Sequence, residues 1–76
     1  MKEFIAYLVK NLVEHPDEVK VNVVDGEKRT IIEVEVAPED VSRVVGRKGR
    51  TVNALRTIAL TLGARLGRSV RLEVIN

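Results

Sequence analysis

Cysteine is absent from this sequence, so neither a disulfide nor a thiolate metal site is available to it. A single histidine, His15, leaves no imidazole cluster to hold a metal. Tryptophan is absent, and the only aromatic residues are Phe4 and Tyr7. That argues against a nucleic-acid reader that works mainly by stacking bases on aromatic platforms. No apolar run approaches the roughly 20 residues of a membrane span. The opening stretch Met1–His15 mixes charges into its apolar pattern and lacks a small-residue cleavage site, so it reads as a helix of the mature domain. The expectation is a cytoplasmic protein with no membrane segment and no cofactor.

Seventy-six residues make one domain, residues 1–76. A single core of this size supplies only about 3–5 kcal/mol of net stability. A partner subunit is one way to gain more, although nothing in the sequence demands it.

Acid is what the second half lacks. Residues 1–40 carry five basic and ten acidic side chains, whereas residues 41–72 carry eight basic ones and no acid. The eight are Arg43, Arg47, Lys48, Arg50, Arg56, Arg65, Arg68 and Arg71. The net charge of +2 hides this segregation. A +8 half beside a −5 half is the electrostatic footprint of a polyanion binder. Arginine dominates, and its planar fork suits phosphate. The competing explanation is the solvated face of a charge-rich, heat-stable protein.

Periodicity orders the elements. Phe4, Ile5, Leu8, Val9, Leu12 and Val13 make the apolar stripe of a helix over Lys2–Glu14, stopped by Pro16. Val19, Val21 and Val23 alternate with Lys20, Asn22 and Val24 as a strand. Asp25-Gly26 is a hairpin-turn signal. Thr30, Ile32, Val34 and Val36 alternate with Ile31, Glu33 and Glu35 on the return strand, which Pro38 ends. Pro38-Glu39-Asp40 suits a helix N-terminus, and a short helix through Val45 follows. Gly46 stands where a left-handed C-terminal residue belongs. Gly49 opens a longer helix with Val52, Leu55, Ile58, Ala59, Leu62 and Leu66 on one face. Gly63 interrupts its interior at about 1 kcal/mol relative to Ala, which a close packing contact would explain. Gly67 ends it, and Val70, Leu72 and Val74 alternate as a last strand. The expected class is α+β in the order αββααβ, a three-stranded sheet with three helices packed on one face. The place of the last strand is left open.

The stretch Val44-Val45-Gly46-Arg47-Lys48-Gly49-Arg50-Thr51-Val52 carries the chemistry. Two glycines allow a sharp reversal and leave bare backbone facing a ligand. The helix that follows presents unpaired N–H groups and a partial positive charge. Arg47, Lys48 and Arg50 add formal charge, and Thr51 adds a hydroxyl. By itself a Gly-x-x-Gly is equally an ordinary tight turn. Its place between two helices, after a hairpin and within the +8 half, favours a nucleic-acid backbone.

This segment is similar to the signature of KH domains, and the αββααβ order resembles their bacterial type II form. The stand-alone length, the opening residues and the run Arg50-Thr51-Val52-Asn53-Ala54-Leu55-Arg56 resemble the small bacterial KH RNA-binding protein family of the KhpA type. The resemblance implies that Gly46, Arg47, Lys48 and Gly49 clamp the backbone of about four nucleotides of single-stranded RNA. It implies that Val45 and Val52 help floor the groove and that the second strand, around Ile31 to Val34, walls it. It also implies homodimers, pairing with a larger KH-domain protein, and an RNA chaperone or post-transcriptional regulator.

Arg43, Asn53 and Arg56 flank the loop and are candidates for adjacent phosphates or base edges, and equally for plain surface solubility. Arg65, Arg68 and Arg71 either extend the basic surface or pair with Glu33, Glu35 and Glu73 on the sheet, and the second reading is favoured. His15 reads as easing a helix dipole, and Asp17, Glu18, Glu39 and Asp40 as caps and turns. No nucleophile–base pair and no P-loop spacing is present, so catalysis is not expected. A protein adaptor with vestigial RNA binding is the competing function.

Overall fold

A computed structural model describes residues 1–75. Six regular elements follow one another: helix α1 (Lys2–Lys10), strands β1 (Lys20–Asp25) and β2 (Arg29–Glu35), helices α2 (Val41–Val45) and α3 (Arg50–Arg65), and strand β3 (Ser69–Ile75). This is the expected αββααβ order. The sheet runs β1-β2-β3. β1 and β2 form an antiparallel hairpin with Val21 opposite Val34. β3 joins β2 in parallel, Ile32 opposite Leu72, so the last strand is an edge and β2 is central.

Alternation sorts the sheet into two faces. Val21, Ile32, Val34, Val70 and Leu72 are buried towards the helices. They pack with Ile5 and Val9 of α1, Val44 of α2, and Val52, Leu55 and Ala59 of α3 in one core. Lys20, Asn22, Val24, Ile31, Glu33, Glu35, Arg71 and Glu73 form the outer face, which is exposed or half-buried. The predicted stripe of α1 is narrower than its spacing suggests, because Phe4 and Leu12 stay exposed.

α1 also ends four residues before the expected Glu14. Asn11 closes it, with its side-chain Nδ2 donating to the Tyr7 carbonyl at 2.8 Å. Asn competes for backbone partners in this way and is a poor helix interior residue. The N–H groups of Glu14 and His15 donate to the distant Asp40 carboxylate, not to carbonyls four residues back.

α3 ends in a Schellman motif. Arg68 N–H donates to the Gly63 carbonyl at 2.9 Å, Gly67 N–H to Ala64 at 3.1 Å, and Gly67 takes φ 70°. Gly63 has the packing reason that its position called for. A Cβ there would collide with the Val70 side chain and sit 3.0 Å from the Arg68 carbonyl oxygen. Gly63→Ala, which gains about 1 kcal/mol in an open helix, is therefore expected to have the opposite sign. Overpacking against β3 costs about 1–3 kcal/mol, and urea unfolding will show the net loss. A more stable variant would mean that Val70 can step aside.

Candidate nucleic-acid interface

The corner between α2 and α3 is built by backbone conformations of unusual sign. Gly46 has φ 77° and ψ 172°, a region essentially confined to glycine. It is not the left-handed helical cap expected of it. That conformation belongs to Lys48 (φ 58°, ψ 23°) and Gly49 (φ 74°, ψ 13°). Gly46 also has no room for a side chain, since a Cβ would meet Thr51, including its backbone N at 2.9 Å. Gly49 donates to the Gly46 carbonyl at 3.1 Å and closes the turn.

Arg47, Lys48 and Arg50 project from this turn, exposed to solvent. They form no ion pair among the described residues. The N-cap Gly49 gives α3 no side-chain cap, so the positive end of a 16-residue helix faces the same corner. Thr51 is half-buried behind Gly46. The corner is therefore open, cationic and free of acid.

The flanking residues divide. Val52 is buried in the core and Val45 is half-buried beside it. Gly49, Asn53, Arg56 and Leu60 recur at helical spacing along one side of α3. That side faces a cleft lined by Arg56, Leu60, Val70, Arg71, Leu72 and Glu73. The Arg56 Nε–H donates to the carbonyl of Leu72 on the edge strand at 3.3 Å, and its Nη1 to Asn53 Oδ1 at 3.3 Å. The wall opposite α3 is thus β3. The expected wall, Ile31 to Val34 of β2, is the central strand, with Ile32 and Val34 fully buried. A parallel third strand placed between the hairpin and the cleft accounts for the exchange.

Arg43 points elsewhere. Its guanidinium pairs with Glu14 at 2.8 Å and lies 3.7 Å from Asp40. Arg71 pairs with Glu73 at 3.2 Å as expected, but Arg68 turns to Asp25 at 3.8 Å, Thr30 Oγ1 at 2.7 Å and the Gly26 carbonyl at 2.6 Å. His15 lies 3.5 Å from Glu39.

Asp40 is the residue whose part the sequence hid. It is 1 % exposed, and its two oxygens accept the N–H groups of Glu14 and His15 at 3.1 and 3.0 Å. It thereby ties the segment after α1 to the start of α2. Burial acts to raise its pKa, but the two backbone donors and the positive charges of His15 and Arg43 outweigh it, so the pKa lies below the ordinary 3.8. A depressed pKa contributes stability that is fully present above the unfolded value and is lost as pH falls through the folded one. The unfolding midpoint in urea is expected to hold down to about pH 5 and then fall. Asp40→Asn should be less stable than the parent at neutral pH, and the gap should close in acid. A gap that is constant from pH 7 to pH 2 would refute the charged clamp.

Comparison with known proteins gives concordant findings. A family model described as KhpA/KhpB, KH domain, matches residues 2–74. The RNA-binding protein KhpA of Borreliella burgdorferi is 45% identical over 74 residues, 97% of this chain and 90% of that protein. The RNA-binding protein KhpA of Chlamydia pneumoniae is 41% identical over 75 residues, 99% of this chain and 96% of its own. That of Aquifex aeolicus is 37% identical, covering 99% and 95%. Among solved structures, Aquifex aeolicus Era matches with a TM-score of 0.64 at 22% identity, over 96% of this chain. The chain spans only 28% of Era, and it shares the fold of that stretch alone.

Proposed function

The chain belongs to the KhpA/KhpB family of KH domains, and from that premise we propose that it is a non-enzymatic RNA-binding protein gripping single strands at the Gly46–Gly49 corner. One observation carries the reading: three exposed cations without ion-pair partners surround a bare two-glycine turn at the uncapped start of α3. Phosphates suit those features, and an apolar or cationic ligand does not.

In this reading Gly46, Arg47, Lys48 and Gly49 hold the sugar–phosphate backbone, and Arg50 and Thr51 supply further donors. The bases then lie along Asn53 and Arg56 into the cleft between α3 and the edge of β3. Val45 and Val52 support the floor from behind. Arg43 assists only if it leaves Glu14. With no aromatic platform in the cleft, selectivity among sequences is modest, which suits an RNA chaperone or post-transcriptional regulator. The whole chain acts as a single domain, in the cytoplasm where such RNA is found. Association with a second copy, or with a larger KH-domain protein, belongs to the same proposal on the strength of the family resemblance.

Salt dependence tests the grip. Neutralising about four phosphates of a single strand gives a slope of log K against log salt near −3, so each doubling of salt weakens binding about eightfold. A slope near zero would remove phosphate from the account.

A further inference from the structure

The far end of α3 carries a surface that shares only Val70 with the cleft read for RNA. Met1, Phe4, Leu62 and Leu66 line an apolar hollow where the start of α1 meets the end of α3. It continues past Met1 and Leu66 over Val23 and Val70 at the end of the sheet. Phe4 is 47% exposed, Leu66 66% and Val23 36%. A contiguous apolar groove of this kind on a small domain marks an interaction surface.

The rim decides the occupant. Asp25 is the acid beside the groove, and Arg68 neutralises it at 3.8 Å while also bonding Thr30 and Gly26. Lys2 lines one part of the groove and Arg65 the other, and neither forms an ion pair among the described residues. The available charge is positive at both ends. We propose that this groove docks a helix of a partner protein that carries an apolar ridge flanked by acidic residues.

A second copy fits poorly. A two-fold contact would set the Lys2 and Arg65 rim of one copy against the same cationic rim of the other. The chain's own helices offer no acidic ridge, since α3 contains no acid and α1 has only Glu3. Nucleic acid fits poorly as well, because the two cations around this apolar floor lack the bare backbone donors found at Gly46–Gly49, and Phe4 is the one ring there on which a base could stack. A helix laid in an apolar groove is a familiar mode of peptide recognition. The groove lies about 24 Å along α3 from the glycine corner, so both ligands can be held at once.

The test uses the isotopically labelled full chain and two synthetic helical peptides of roughly 18 residues. Both carry the same leucine ridge, one with glutamate flanks and one with lysine flanks. The glutamate peptide is expected to bind at least tenfold tighter and to shift the amides of residues 2–4, 23 and 62–66. Leu66→Ser should weaken it at least tenfold, Arg65→Glu should reverse the preference, and both should leave RNA binding in place. Equal binding of the two peptides, shifts elsewhere, or no effect of either variant would overturn the proposal. So would sedimentation showing a dimer of the free chain that Leu66→Ser dissolves, or an RNA strand that shifts the same amides.

Discussion

Replacing Arg47 and Lys48 together with aspartate is expected to abolish retention of single-stranded RNA while the far-UV circular dichroism stays unchanged. Both side chains are exposed, and neither takes part in the core or in an ion pair among the described residues. Lys48 holds φ 58°, and aspartate adopts that conformation more readily than most residues, so the turn is not strained by the change. Two attractive charges become two repulsive ones beside the phosphates. The expected loss is on the order of a hundredfold or more, about 2.7 kcal/mol. Any residual binding should show a salt slope of about −1.4, because about two phosphate contacts are gone. Lys48→Asn removes one charge in a residue that also tolerates the conformation, and should fall between the parent and the double variant. RNA retention that survives the double change would place the grip elsewhere.

Gly46→Ala is expected to damage both stability and binding, far more than Gly49→Ala. At Gly46 the φ/ψ pair is costly for any other residue, by about 1–3 kcal/mol. The added methyl also meets the Thr51 backbone N at 2.9 Å, and backbone cannot swing away as a side chain end could. Together these approach the whole net stability of about 3–5 kcal/mol expected at this size. At Gly49 a Cβ finds only Asn53 Nδ2 at 3.8 Å, so the penalty there is the left-handed conformation alone, about 1–2 kcal/mol. Urea unfolding of the two variants side by side measures the difference. Equal losses would mean that Gly46 can relax and that the close approach to Thr51 is not structural.

Local rules made much of this legible from the residues. Period-two alternation marked all three strands, and Gly67 marked the end of α3 through a backbone requirement that Schellman geometry explains. The segregation of charge pointed to the half of the chain that holds the corner. What stayed hidden depends on contacts far apart in sequence. Asp40 follows a proline and a glutamate and looks like an ordinary helix start, yet its partners lie 25 and 26 residues away. The early end of α1 follows partly from that bond. No periodicity places β3 beside β2, so the wall of the cleft was misassigned to the central strand. Arg43 reads as a candidate for an adjacent phosphate or for plain solubility, because its ion pair to Glu14 spans 29 residues and leaves no local signal. Lys48 gave no sign of its left-handed conformation, since lysine has no preference for it.

Amide chemical-shift mapping during titration with a short single-stranded RNA tests the central assignment most directly. The largest shifts are expected at Gly46 through Val52, continuing through Asn53 and Arg56 to the β3 side of the cleft at Val70–Glu73. Shifts that spare Gly46–Gly49 and gather on the outer face of the sheet, or on the acidic turns around Pro16 and Pro38, would contradict it.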